Sequence, residues 1–351
     1  MASVSLRRLA KRYTLDGRPA LDALSLDVHD GELFALLGPS GSGKTTLLRC
    51  VAGLEEPSDG EILIGDREVR SLPPVERDVA MVFQTYALYP HLSVRDNIAF
   101  GLEVRGVAAG EVARRVEAAA ARLDLTALLD RHPTHLSGGE RQRVALGRAL
   151  VREPQVFLLD ETLSSLDAPA RAELRAQLLE LHRELKATIV YVTRDPGDAM
   201  TLGQRVAVLE GGRLRQVGTP AEVYGRPASV FVARLLGSPG MNILAGRGKG
   251  GLVDVGVWSV PVTLERYEGE IHLGVRPEHV GLVDPDQGLG PAQVRVVELL
   301  GAETLVRLDA GGQSLVARVP GLRDFRPGDR VGVKVDRQHV HLFDAAGERI
   351  G

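Results

Sequence analysis

Only one cysteine, Cys50, occurs in the 351 residues. A disulfide framework within the chain is therefore excluded, which fits a reducing compartment. Cys50 lies in the apolar run Leu47-Leu48-Arg49-Cys50-Val51-Ala52 and reads as a buried small residue rather than a reactive thiol. No apolar run approaches the roughly 18 residues of a membrane span. Any membrane association is therefore expected to come through a partner. The stretch Met1-Ala2-Ser3-Val4-Ser5-Leu6-Arg7-Arg8 lacks the apolar core of a signal peptide. An excess of one charge is also missing, with 43 Lys and Arg against 46 Asp and Glu, and no basic tail or acidic block stands out. This argues against nucleic acid as the main partner. The nine histidines are scattered, and His132 and His135 have no cysteine or third ligand nearby. A His/Cys metal enzyme finds no support in that pattern. His272, His279, His339 and His341 are expected to be surface or structural residues.

The length suggests about two domains, and 44% hydrophobic residues is an ordinary globular share. Residues 4–9 and 21–37 read as strands, the second stretch broken at His29-Asp30-Gly31. It ends in Leu33-Phe34-Ala35-Leu36-Leu37, a continuous apolar run suited to a buried parallel strand. Residues 44–53 read as a helix stopped near Gly53, and strands are expected near 61–69. Residues 108–130 favour helix by composition. A second parallel-type strand is predicted at 156–159, a long amphipathic helix at 168–185 and a strand at 188–192. Strands alternating with helices indicate an α/β core. After about residue 236 the texture changes to clustered glycines and short Val-rich strands at 293–299, 304–308 and 331–335. That pattern predicts a small all-β domain, with the boundary near 236–243.

Gly38-Pro39-Ser40-Gly41-Ser42-Gly43-Lys44-Thr45 fits the phosphate-loop pattern G-x-x-x-x-G-K-[ST] without a mismatch. Its glycines let backbone N–H groups face phosphate oxygens, and the following helix adds its positive end. Lys44 is placed for the β- and γ-phosphates of ATP, and the Thr45 hydroxyl for Mg2+. Thr46 is counted with the loop as a nucleotide contact. The strand at 156–159 ends in Asp160-Glu161. Asp160 is placed to hold the Mg2+ shell, and Glu161 to orient or activate an attacking water.

Leu136-Ser137-Gly138-Gly139-Glu140, followed by Arg141-Gln142, is the further element. A Ser hydroxyl and paired glycines opening a helix form another phosphate-binding N-terminus. With this element the chain resembles the ABC ATPase family, whose signature motif has this form. Other landmarks of the family follow in order. Tyr13 matches the aromatic that stacks on adenine. Gln84, in Val82-Phe83-Gln84-Thr85, matches the glutamine that reaches Mg2+ and water. Ser164-Ser165-Leu166-Asp167 matches the loop that crosses to a partner subunit. Two departures stand out. Arg194 occupies the position after Thr193 where the family usually has His, and Thr162 occupies the position of a proline. Arg194 can donate to phosphate, but it is larger, permanently cationic and not an acceptor. Thr162 is expected to change loop stiffness rather than a ligand.

Within the family the chain is most similar to ATPase subunits of importers for maltose-type sugars and glycerol 3-phosphate. The stretches 217–224, 237–242 and 273–279 carry this. The resemblance implies an α/β P-loop NTPase domain at 1–236, with a helical subdomain at about 86–150. A small all-β, OB-like regulatory domain at 237–351 follows. It implies ATP hydrolysis coupled to uptake of a carbohydrate or glycerol 3-phosphate. It also implies a head-to-tail homodimer, integral membrane permease subunits, an extracytoplasmic solute-binding protein reached indirectly, and a peripheral position on the cytoplasmic face of the cell membrane. The segment from Tyr86 to Val94 is where the family touches the membrane subunit. The alternative reading is a hydrolysis-impaired regulatory subunit, motivated by Arg194. A soluble relative acting on DNA or ribosomes usually carries a second cassette or a long coiled coil, and neither is present.

Overall fold

A computed structural model describes residues 2–14, 17–256, 258–262 and 267–350. Packing divides the chain into two units, Met1–Pro220 and Ala221–Gly351.

The first unit is built on a six-stranded sheet. Its spatial order is Arg213–Gly218, Arg205–Glu210, Leu33–Leu37, Thr188–Thr193, Val156–Asp160 and Val79–Val82. All neighbours are parallel except the hairpin of the first two. The central strands are buried on both faces, which is why they read as unbroken apolar runs. Alternate residues go to opposite layers. Phe34 and Leu36 join Leu47, Leu48, Val190 and Val192 on one side, while Leu33 joins Ile189, Tyr191 and the helical layer on the other. A four-stranded antiparallel sheet, ordered Leu21–Val28, Val4–Lys11, Asp59–Ile64 and Arg67–Glu68, covers the first side. Helices Val94–Glu103, Ala109–Arg122 and Gly138–Leu150 supply most of the other core.

The helix expected over 108–130 is shorter than its composition suggested. It spans Ala109–Arg122, followed by Asp124 at φ +53° and a 3-10 turn at Thr126–Leu128. Breaking the helix lets Leu123, Leu125 and Leu129 all turn into the helical core. The helix at Ala168–Leu185 lies where the periodicity placed it. Cys50 is fully buried, and burial pushes its thiol up to about 11.

Arg77 closes the far end of the helix Lys44–Ala52. It is 4% exposed. Its guanidinium donates to the carbonyls of Leu72 (2.8 Å), Cys50 (2.7 Å), Val51 (3.1 Å) and Arg70 (2.8 Å). Gly53 is at φ +76°, and a Cβ there would meet the Arg77 guanidinium. Arg77→Met should keep the volume but leave these carbonyls unpaired. The expected loss is about 3 kcal/mol in the first unit's unfolding free energy. A urea titration reads it, and a loss below about 1 kcal/mol would contradict the assignment.

The second unit contains two five-stranded antiparallel sheets around one core. One runs Ser259–Pro261, Leu252–Asp254, Asn242–Lys249, Gly269–Val275 and Val340–Asp344. The other runs Val280–Val283, Arg330–Val335, Gly290–Leu299, Glu303–Ala310 and Gln313–Pro320. The segment from Ala221 onward packs with this unit. Arg276, buried, donates to the carbonyls of Leu236 (2.9 Å) and Tyr224 (2.5 Å) and stacks on the Tyr224 ring at 3.3 Å. Ala233, Met241 and Phe343 share a small core of their own.

His279 and His339 stack with ring centroids 3.9 Å apart, and His341 is buried. Burial pushes the His341 imidazole down to about 4, helped by the charges of Arg349 and Arg276 and by His279 and His339. Arg349 Nη1 lies 3.0 Å from His341 Nδ1. A guanidinium can only donate, so Nδ1 accepts and the ring is neutral. The unfolded chain binds this proton below about pH 6.5, whereas the folded unit refuses it until about pH 4. Stability is therefore unaffected above that window and falls as pH drops through it, by on the order of 3 kcal/mol at the acid end. His341→Gln should flatten this slope. Thermal melts followed at the single tryptophan, Trp258, which is buried in this core, measure it. An equal acid slope in both proteins would remove His341 as the cause.

Candidate nucleotide site

The phosphate loop joins the buried strand Leu33–Leu37 to the helix Lys44–Ala52. Two of its glycines are required by crowding. A Cβ on Gly38 would lie 2.5 Å from the Leu209 carbonyl oxygen, and Gly43 sits at φ +101° against the Ala20 carbonyl. Lys44 is folded inward. Its Nζ donates to the carbonyls of Gly38 and Pro39, each at 2.8 Å, and to Ser42 Oγ at 3.3 Å. Among the described residues no carboxylate lies within ion-pair distance of it. Burial lowers its pKa, Glu161 opposes that, and Arg194 adds to it. A desolvated cation held by neutral carbonyl and hydroxyl dipoles is a strong anion receptor.

The Thr45 hydroxyl donates to Asp160 Oδ1 at 3.1 Å. Burial raises the Asp160 carboxyl above its ordinary range. One hydroxyl and one carboxylate, both hard oxygen donors, fit Mg2+, which keeps several waters and takes its remaining ligands from phosphate. Among the described residues no group of three or more His, Cys, Asp or Glu could hold a metal alone. Bound there, Mg2+ would neutralise phosphate charge, with Thr45 and Asp160 holding it.

Glu161 follows Asp160 at φ +48°, its N–H bonded to the Val192 carbonyl at 2.9 Å. Its Oε2 accepts from Arg194 Nε at 2.7 Å, and Arg194 Nη2 lies 2.5 Å from the same oxygen. Gln84 Nε2 donates to Ser164 Oγ at 3.3 Å, and Ser164 Oγ donates to the Glu161 carbonyl at 2.8 Å. Thr162 is 1% exposed, and its hydroxyl has no partner among the described residues. Tyr13 is exposed, its hydroxyl 3.3 Å from Thr46 Oγ1 and Lys11 Nζ 5.1 Å from its ring. Lys44, Thr45, Asp160, Glu161, Arg194 and Gln84 thus form one linked cluster, with Tyr13 and Thr46 at its side.

The signature segment lies elsewhere on this unit. Ser137 caps the helix Gly138–Leu150 in a reciprocal box with Glu140. Ser137 N–H donates to Glu140 Oε2 at 2.6 Å, which holds that carboxyl below the usual range. Asp167 caps the helix Ala168–Leu185 through the Ala170 N–H. No hydrogen bond among the described residues joins 137–139 or Asp167 to the loop 38–45. Gly138 and Gly139 have ordinary negative φ, and a Cβ on either would be no closer than 3.5 Å to its neighbours. The subunit's own packing therefore does not explain two glycines, which points to close approach from outside.

A family model described as ABC transporter matches residues 21–164, and one described as TOBE domain matches 273–343. An sn-glycerol-3-phosphate import ATP-binding protein of Cupriavidus metallidurans is 47% identical, the match covering 100% of this chain and 99% of that protein. The chain belongs to the ABC transporter ATP-binding family. It is an ABC-type transport ATPase. A sulfoquinovosyl glycerol transport ATP-binding protein of Agrobacterium fabrum is 48% identical, covering 99% of each chain. Among solved structures, cbiO1 from Clostridium perfringens, part of an ABC transporter complex, matches with TM-score 0.59 and 31% identity over 63% of this chain and 89% of that one. A dimeric ATP-binding cassette in a post-hydrolysis state with ADP and Pi matches with TM-score 0.56 and 29% identity over 62% of this chain and 98% of that one.

Two features of this ABC ATPase were not legible as motifs. Tyr86, at φ +58°, places its hydroxyl 2.8 Å from Ser165 Oγ and beside Gly138, tying the glutamine loop to Ser164–Asp167 and to the signature helix. The Arg194–Glu161 ion pair joins residues 33 apart in sequence. The strand register Asp160↔Val192 puts the two strand ends side by side, so a correct strand order would have revealed it.

Proposed function

We propose that this chain hydrolyses ATP to drive an importer of glycerol 3-phosphate or a related polar carbohydrate. The cluster of Lys44, Thr45, Asp160 and Glu161 at the phosphate loop is the observation that carries this reading. Gly38 to Thr46 cradle the triphosphate, Tyr13 stacks on adenine, and Thr45, Asp160 and Gln84 hold Mg2+ and its waters. Glu161 directs the attacking water, and Arg194 faces the γ-phosphate. The carboxylate and the phosphate loop come from one subunit. Ser137, Gly138, Gly139 and Asp167 serve the nucleotide of a second copy in a head-to-tail homodimer. The two unexplained glycines support that arrangement.

The membrane partner is a permease, engaged from the cytoplasmic face. No helix of the described residues is long and apolar enough to cross a membrane. A cleft of about 630 Å³, lined by Val82, Phe83, Tyr86, Phe100, Val104 and Arg148 among others, offers the docking place. It opens between the edge strand Val79–Val82 and helices Val94–Glu103 and Gly138–Leu150. Arg148 donates to the Ala87 carbonyl and lies 4.8 Å from the Tyr89 ring, holding the 86–94 segment at its rim. The extracytoplasmic solute-binding protein acts only through that permease.

Steady-state ATP hydrolysis by the purified chain tests the reading. Glu161→Gln is expected to lower turnover on the order of 10²-fold while ATP still binds. Equal rates for the two proteins would remove Glu161 from its role.

A further inference from the structure

Every acid near the ends of the central strands except Glu161 has another partner. Asp160 accepts from Thr45, Asp195 pairs with Arg171 at 3.0 Å, and Asp198 pairs with Arg175 at 3.4 Å. Glu161 is left to Arg194. The carboxylate side chain is 10% exposed and the guanidinium side chain 47%. The carboxylate is therefore largely desolvated while its cation stays reachable from solvent. Asp160, the neighbour of Glu161, accepts from Thr45 at 3.1 Å, so the pair lies beside the phosphate loop. Both donors converge on one oxygen, Oε2. The guanidinium thereby occupies Oε2 and holds the carboxylate toward Arg194. Arg194 Nη1 has no partner among the described residues.

Resting on the ATPase reading above, we propose that Arg194 is a latch on Glu161 that the γ-phosphate of ATP must open. The phosphate and the carboxylate compete for one guanidinium, whose planar fork suits either. ADP lacks the competing group and leaves the pair closed. Part of the binding energy of ATP is thereby used to free the carboxylate, which ties readiness for hydrolysis to the presence of the third phosphate. Histidine at this position is largely uncharged at pH 8 and forms no such ion pair. Arg194 thus meets the γ-phosphate directly and, through its ion pair, sets when Glu161 is free.

Equilibrium binding of ATP and of ADP to the full chain, without Mg2+ so that turnover does not intervene, separates the possibilities. Glu161→Gln removes the competing carboxylate and keeps Arg194, so it should bind ATP about tenfold tighter and ADP within about twofold of the original chain. In an Arg194→His background, where no latch exists, the same Glu161→Gln change should alter ATP binding by less than about threefold. Unchanged ATP binding by Glu161→Gln would overturn the latch and make Arg194 a plain phosphate clasp. Equal tightening by Glu161→Gln in both backgrounds would also overturn it, because repulsion between carboxylate and phosphate would then account for the change. Unchanged values throughout would overturn it as well. If neither the original chain nor any variant hydrolyses ATP, the ATPase reading fails, and the binding measurements still decide the latch.

Discussion

Lys44→Ala should lower kcat/KM for ATP on the order of 10³-fold with the fold intact. Lys44 combines deep burial, three hydrogen bonds to its own loop and no carboxylate partner. Its charge is therefore held ready for an anion at a desolvation cost. Removing it relieves that cost but leaves the Gly38 and Pro39 carbonyls unpaired. These terms oppose each other, so the first unit's melting temperature should move by only a few degrees. ATP hydrolysis and a thermal melt on the same preparation give both values. Loss of the fold together with activity would mean that Lys44 is structural. Retention of most activity would mean that the phosphates do not lie against it.

Gly138→Asp should lower turnover on the order of 10³-fold by a different route. A side chain at Gly138 has room within the subunit, since its Cβ would be 3.5 Å from Leu166 and from the Tyr86 hydroxyl. An aspartate in the first turn also complements the positive end of the helix. The subunit by itself should therefore tolerate the change, with unaltered stability and unaltered ATP binding at its own phosphate loop. The loss should appear only where Gly138 meets another molecule's nucleotide, through the bulk and negative charge set against phosphate. Nucleotide binding measured beside turnover separates the two effects. Turnover equal to that of the original chain would show that nothing approaches this helix end closely.

Most of the α/β frame was legible because its signals are local. The run Leu33-Phe34-Ala35-Leu36-Leu37 ends in a phosphate loop, and Asp167 with a following proline marks the start of Ala168–Leu185. Of the C-terminal histidines, His341 is buried against Arg349 and His339 is exposed. Composition misled over 108–130, since Leu123, Leu125 and Leu129 count as helix formers in sequence yet pack from a broken chain. The reach of Arg276 to Leu236 and Tyr224 is a long-range contact with no local mark. Within the site, the identities of Lys44, Thr45, Asp160 and Glu161 followed from their motifs. The substitution of Arg194 was visible, but its pairing with Glu161 was not, because it depends on which strands are neighbours. The burial of Thr162 with an unpartnered hydroxyl was also invisible, and the structure gives no reason for threonine there.

The claim that two copies complete each ATP site is tested most directly by mixing the two inactive variants. In a head-to-tail dimer of Lys44→Ala with Gly138→Asp, one site joins an intact phosphate loop to an intact signature helix, and the other has neither. Each variant alone should be inactive. A one-to-one mixture, allowed to exchange subunits, should recover roughly a quarter of the original ATPase rate, because half of the dimers are mixed and each has one working site. A mixture as inactive as its components, with subunit exchange demonstrated by labelled chains, would contradict the shared site.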